Sequence, residues 1–227
     1  MKRSLFTGAL FAMAGFLPTA QVAAQEQIPT ASASWTGLYA GVHFGYAAGH
    51  SDLFIDTGGP LFNLVVDPSG LIGGVQLGFN QQMDTNLVIG VEADLSHNGV
   101  AGMAAIPAVS ALMETNMEWS GSARARAGYA FDNTMAYVTG GVAAANYTVD
   151  FYSIPTAISA TIHNQTHIGW TAGAGVEHAF ADQWTARVEY RYSDFGEYTL
   201  SGVGGLFPDG NVSLNTHDVR FGLNYRF

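Results

Sequence analysis

From Leu38 to the carboxyl terminus the chain repeats one pattern eight times, with apolar or small residues at every second position and polar residues between them. A period of two marks a strand whose successive side chains point to opposite faces. The first segment sets Leu38, Ala40, Val42, Phe44 and Tyr46 against Tyr39, Gly41, His43 and Gly45. The second sets Leu71, Val75, Leu77 and Phe79 against Gly74, Gln76, Gly78 and Asn80, and the third sets Leu87, Ile89, Val91, Ala93 and Leu95 against Val88, Gly90, Glu92 and Asp94. In the fourth, Met117, Trp119, Ala123, Ala125, Ala127 and Tyr129 oppose Glu118, Ser120, Ser122, Arg124 and Arg126. The fifth, Ala136 to Tyr147, is mostly Gly, Ala and Val, so its register is open by one residue. The sixth opposes Ile168, Trp170, Ala172, Ala174 and Val176 to Thr171, Gly173, Gly175 and Glu177. The seventh opposes Trp184, Ala186, Val188, Tyr190 and Tyr192 to Arg187, Glu189 and Arg191. In the last, Val219, Phe221, Leu223, Tyr225 and Phe227 alternate with Arg220, Gly222, Asn224 and Arg226.

This register also sorts the charges. Arg124, Arg126, Arg187, Arg191, Arg220 and Arg226 share one face with Glu92, Asp94, Glu118, Glu177, Glu189 and Asp218, and the other face carries none. A cation at mid-depth on the lipid face of a barrel costs roughly 2–4 kcal/mol, so lipid would enforce that segregation. A soluble sandwich would turn its polar faces to water and carry lysine there. Arginine matched by carboxylates instead suits a narrow lumen, where planar bidentate pairs fit.

The connections alternate in length. Met83–Asn86, Asp132–Thr134 and Ala181–Gln183 are tight and hold turn residues, whereas those near residues 49–69, 97–115, 149–165 and 196–215 are long. Pro60, Pro68, Pro107, Pro155 and Pro208 all fall in the long connections, so no proline interrupts a strand. Trp35, Phe79, Tyr129, Phe131, Phe180, Trp184, Tyr225 and Phe227 lie at the short-turn ends, as an interfacial aromatic girdle would.

Composition narrows the setting. Lys2 and Arg3 precede an apolar run from Leu5 to Leu17, and Val22-Ala23-Ala24 offers small residues for cleavage. Residues 1–24 therefore read as a secretory signal peptide, and residues 25–34 as a polar periplasmic tether before a barrel over 35–227. The chain is 48% hydrophobic and only 11% charged, yet no later stretch is apolar for long enough to span a membrane as a helix. There is no cysteine, so stability must come from the fold itself. Beyond the signal, six arginines face 18 acidic residues, a formal charge of −12 that argues against nucleic acid and against attachment to anionic lipid.

Together these features predict an all-β fold, an eight-stranded antiparallel transmembrane β-barrel with short periplasmic turns and four long extracellular loops. The closing segment ends on Phe227, and a terminal aromatic after an alternating strand resembles the signal that the barrel assembly machinery reads. The stretch GWTAGAGVEHAFADQWTARVEYRYSDFG (Gly169–Gly196) also resembles a segment of the small outer-membrane β-barrel family of alphaproteobacterial surface antigens. WTGLYAGVHFGY (Trp35–Tyr46), SARARAGYAF (Ser122–Phe131), YVTGGVA (Tyr137–Ala143) and VRFGLNYRF (Val219–Phe227) support the resemblance. That family includes porin-like and haemin-binding relatives, and the resemblance implies an eight-stranded barrel. The resemblance does not extend to the long loops, so it implies no loop-borne function such as haemin binding.

An eight-stranded barrel has an interior that side chains can fill. The twelve inward charges then form either a structural plug or a narrow ion path. His50, His97, His163, His167 and His217 lie near the outer rim, but His163 and His167 would be roughly 13 Å apart in extended chain, too far to share an ion. No catalytic group, metal site or cofactor site is expected, and the glycines from Gly169 to Gly175 precede no helix that could make a nucleotide loop. The oily stretch Gly99–Met113 is either a partner surface or an extension of the hairpins. The sequence thus points to an integral outer-membrane surface protein with a structural, envelope-integrity and display role, in contact with outer-membrane lipid and lipopolysaccharide. A small porin and loop-mediated binding of haem or a host component are the alternatives.

Overall fold

Strand alternation closes on itself in the computed structural model, which describes residues 33–55, 62–106, 110–153, 158–200 and 210–227. The expected signal peptide, most of the tether, and Pro60, Pro107, Pro155 and Pro208 lie outside the described residues. The strands are β1 (Gly37–Ile55), β2 (Phe62–Val66), β3 (Ser69–Gln82), β4 (Leu87–Ile106), β5 (Ala111–Phe131), β6 (Thr134–Ser153), β7 (Ile158–Ala179), β8 (Trp184–Leu200) and β9 (Gly210–Arg226). Sequential neighbours pair antiparallel from β3 to β9, β1 pairs β3, and β1 also pairs β9 from Tyr39 opposite Arg226 to Ile55 opposite Gly210. Eight strands therefore form a closed barrel, which leaves no open edge at membrane depth. Among the described residues the ninth, β2, pairs with the far end of β1 alone, where Ser51–Ile55 meet Val66–Phe62.

Turn chemistry sets the short end. Asn86 (φ 63°) and Asp132 (φ 52°) take the left-handed conformation that small polar side chains tolerate, and Met83 N donates to Leu87 O at 2.8 Å. At the other end the strands run well beyond the expected segments. The β4–β5 hairpin pairs up to Ile106 and Ala111, the β6–β7 hairpin up to Ser153 and Ile158, and the β8–β9 hairpin up to Leu200 and Gly210. Much of each long connection is therefore hairpin.

The outward face is apolar, with Leu71 and Ile168 each 74% exposed, alongside Phe44, Val91 and Val138. Phe79, Tyr129, Phe131, Phe180, Trp184 and Phe227 are exposed at the short-turn end, as a girdle requires. Trp35 departs from that expectation. It is 1% exposed and packs inside the mouth of the barrel with Val88, Ala130, Met135, Tyr137 and Ala179.

Two of the twelve expected lumenal charges are also corrected. Glu118 is exposed and Met117 is buried, because the β4–β5 ladder shifts between His97 and Val100 and the β5–β6 ladder between Met117 and Ser120. A bulge moves later residues to the opposite face, so strict alternation fails there. Arg226 sits at the rim, half-buried, where it donates to the backbone oxygens of Ser34 at 2.5 Å and Asp182 at 2.7 Å. The fifth segment resolves with Val138, Gly140 and Val142 outward and Tyr137, Thr139 and Ala143 inward.

Candidate functional site

Inward side chains change character in order along each strand. On β4, Val88 is followed by Glu92 and Asp94, then Ser96 and Asn98, then Val100, all buried. On β6, Met135 and Tyr137 give way to Thr139 and then to Ala143, Ala145, Tyr147 and Val149. The lumen is therefore stacked: an apolar cork around Trp35, a charged belt, a hydroxyl and amide layer, and a second apolar cluster including Ile72, Met117, Tyr147, Phe195 and Leu214.

The cork is held by the chain that leads into β1. Trp35 N donates to Gln82 Oε1 at 2.9 Å and Ala33 N to Asn133 Oδ1 at 3.2 Å. The Arg226 guanidinium lies 5.3 Å from the Trp35 ring centroid, within cation–π range. Residues 33–36 thus cross the mouth instead of hanging below it.

Five arginines and five acids fill the belt. Glu92 is its hub: it accepts from Arg124, twice from Arg187 (one contact at 3.1 Å), and from the Tyr39 hydroxyl at 2.6 Å. Asp94 accepts from Arg191 at 3.1 Å, Arg220 at 3.2 Å and the Ser122 hydroxyl. Glu189 accepts from Arg124 at 2.7 Å, Arg191 at 2.9 Å and Tyr137 at 3.0 Å. Glu177 accepts from Arg126, from Thr185 and from Asn224 Nδ2 at 2.9 Å, while Asp218 accepts from Arg220 at 2.7 Å. Each of these ten side chains is largely shut off from solvent, and every carboxylate has at least one guanidinium partner.

The reach of these pairs matters as much as their number. In the ring β1-β3-β4-β5-β6-β7-β8-β9, β4 and β8 stand on opposite walls. Arg187 to Glu92 and Arg191 to Asp94 therefore span the bore. Gln76 extends the lattice by donating to Asn224 Oδ1 at 2.5 Å and accepting from Arg187 at 2.7 Å. Between the belt and the hydroxyl layer lies a cavity of about 20 Å³ lined by Asp94, Asn98, Ser122, Arg191, Thr216 and Asp218. That is room for about one water.

Glycines let the large inward rings lie flat. A Cβ on Gly78 would collide with the Tyr39 ring, and one on Gly175 would sit 2.6 Å from the Tyr137 ring. The same Tyr137 ring carries the Arg126 guanidinium 3.7 Å from its centroid. Tyr39, Tyr137, Gln76, Thr185 and Asn224 were not singled out by the charge pattern. Their inward, polar-capable positions were the available signal.

Among the described residues, His43, His50, His97 and His217 do not converge. His43 is buried in the belt, with Nδ1 2.9 Å from Gln76 Oε1 and Nε2 2.8 Å from Ser96 Oγ. His50 pairs with Asp67 at 2.7 Å, the His97 ring lies 4.8 Å from that of Trp119, and His217 Nδ1 is 2.6 Å from the Tyr190 hydroxyl. Among the described residues, no group of three His, Cys, Asp or Glu could hold a metal ion.

Known proteins match this arrangement at several levels. The family model described as an outer membrane protein beta-barrel domain matches residues 9–227. The chain is similar to the 31 kDa outer-membrane immunogenic protein of Brucella melitensis biotype 1, at 37% identity over 226 residues, covering 95% of this chain and 93% of that one. It is similar to the 25 kDa outer-membrane immunogenic protein of Brucella abortus biovar 1, at 31% identity over 194 residues, covering 86% and 80%. Among solved structures, OprG of Pseudomonas aeruginosa superposes with a TM-score of 0.52 at 14% identity over 86% of this chain and 99% of that one, a likeness of fold alone.

Proposed function

The chain belongs to the outer-membrane protein β-barrel family and resides in the outer membrane, and from that premise we propose that it is a sealed, non-enzymatic structural barrel that holds its hairpins at the cell surface. The observation that carries this reading is the belt of ion pairs crossing from β4 to β8 between two apolar layers. A conducting path needs a continuous wet channel. Here the bore is crossed by paired side chains and stoppered by Trp35, which favours a structural role over a porin.

The expected division of the chain fits the same reading: a cleaved signal over residues 1–24, a tether that ends by crossing the periplasmic mouth, and a barrel that follows. The short turns face the periplasm and the hairpins face outward, in contact with lipid and lipopolysaccharide. The barrel assembly machinery closes β9 against β1. Relatives named as immunogenic outer-membrane proteins support display at the surface.

The test is a deletion strain. It should become more sensitive to detergent and to large antibiotics, with uptake of small solutes unchanged, and antibody to the hairpins should label intact wild-type cells. A strain with an unaltered envelope and slowed uptake of a small solute would refute the proposal in favour of a porin.

A further inference from the structure

Beyond the barrel, the hairpins gather into two flaps. β4, β5, β6 and β7 stay paired to their tips, because beyond the bulge at Met117–Ser120 β5 and β6 go on pairing up to Ala111 opposite Ser153. β8, β9, β1 and β2 form the other flap. The wall can therefore part in two places, between β2 and β4 and between β7 and β8.

The first parting is closed. Val66 and Pro68 are buried, and a Cβ on Gly102 of β4 would lie within 3.0 Å of both residues. The second is open among the described residues. Pairing of β7 with β8 stops at Trp170 opposite Asp194, although β7 continues to Ile158 along β6 and β8 continues to Leu200 along β9. Asn164, Gln165 and Thr166 are exposed in succession, which is how a strand looks when neither face is covered.

This divergence is built into the chain. Gly196 has a φ of 75°, a left-handed conformation that favours glycine, and its N–H donates to Asp194 Oδ1 at 2.8 Å. The β8–β9 register shifts between Asp194 and Glu197, so β8 is bulged at the point where β7 continues in regular register along β6. At the base, a Cβ on Gly169 would strike the backbone of Asp194 and Phe195, so glycine is what allows the two strands to meet there.

A free edge usually carries lysine, proline or another charge as protection against pairing with other chains. From Ile158 to Val176 the sequence has no Asp, Glu, Lys, Arg or Pro. A bulge at Ile162 breaks the edge only near its tip, and the stretch from His163 to Gly169 is regular. The opposite lip carries Asp194, half-buried, and Glu197, exposed. Five of the arginines are inside the barrel and Arg226 is at the other rim, while Lys2 and Arg3 precede the described residues.

We infer that the notch between β7 and β8, above Trp170 and Asp194, accepts an extended peptide carrying lysine or arginine that adds a strand to β7 along its exposed stretch Asn164–Thr166. Backbone hydrogen bonds to the edge supply affinity, as in strand addition generally, and Asp194 and Glu197 select cationic side chains. The inference rests on the outward orientation of the hairpins, which protease accessibility tests independently.

The probe is a short fluorescent peptide alternating lysine with valine, titrated by anisotropy against the full chain refolded in lipid nanodiscs. A peptide of equal charge alternating lysine with proline, which cannot pair as a strand, runs beside it. The lysine–valine peptide should bind, the proline peptide should not, and amide exchange at Gln165–Gly169 should slow only with the former. Asn164→Lys/Thr166→Lys should weaken binding by roughly tenfold or more. Met103→Lys/Ala105→Lys, an equal charge change at exposed positions of β4, should retain most of it. Equal binding of the two peptides, equal losses in the two variants, unchanged exchange at the β7 edge, or no binding at all would each overturn the inference.

Discussion

Removing the Arg126 guanidinium should cost more than removing that of Arg124, because among the described residues no second guanidinium is ion-paired with its partner. Arg124 touches Glu92 and Glu189, and those carboxylates keep Arg187 and Arg191 when Arg124 is lost. Among the described residues Arg126 forms its one ion pair with Glu177, which would then keep Thr185 and Asn224 as hydrogen-bond donors. Leaving one member of a buried pair uncompensated costs about 3–5 kcal/mol. The stacking of Arg126 over Tyr137 at 3.7 Å adds about 0.5–2 kcal/mol to the loss. Arg126→Met is therefore placed near the top of that range and Arg124→Met near the bottom. Adding Glu177→Gln removes the stranded charge, so Arg126→Met/Glu177→Gln should recover about half of the deficit or more. The assay is urea unfolding of the refolded protein in lipid vesicles, followed by tryptophan fluorescence and by heat-modifiable mobility on gels. An Arg126→Met protein within about 0.5 kcal/mol of wild type, or a double variant no better than the single, would refute the claim that these charges hold one another in a dry lumen.

Trp35→Ala should destabilise the barrel by about 3–5 kcal/mol in the same unfolding assay, since a fully buried indole is removed from the mouth; an unchanged midpoint would mean that the cork is not packed. Protease added to intact cells should cut only in the long hairpins, and cleavage at Asp84, Asp132 or Asp182 in sealed cells would reverse the orientation. Deleting Phe227, whose N–H donates to Leu38 O at 3.0 Å and whose ring meets Tyr225 edge-on at 5.2 Å, should lower the yield of folded protein in the outer membrane. Normal assembly of that truncation would show that the terminal aromatic is dispensable.

The barrel was legible in the sequence because lipid leaves so little freedom. A period of two with one uncharged face is what a membrane-spanning strand must display, and Leu38 to Tyr46 or Trp184 to Tyr192 display it without interruption. Tight turns announced themselves through Asp and Asn, two of which take left-handed backbone. The misplacements have local causes. Glu118 and Met117 exchange faces at a bulge, which alternation cannot register. Trp35 precedes the first strand, so no period assigned its direction, and an interfacial aromatic looks the same in sequence as a cork. Arg226 continues the inward parity of β9 but lies past the end of the lumen, where backbone oxygens take the place of carboxylates. The pairing scheme itself, Arg187 with Glu92 or Arg126 with Glu177, depends on which walls face each other across the bore. Strand order and shear set that, and neither is written in any single strand.

Conductance measures the sealed lumen most directly. Purified, refolded protein inserted into a planar lipid bilayer at neutral pH should give no discrete, steady current steps, because the arginine–carboxylate belt spans the bore and apolar layers lie on both sides of it. Reproducible single-channel steps from the wild-type barrel, with an ion selectivity that shifts when Arg187 or Arg191 is replaced, would contradict the account and identify the belt as the lining of a pore.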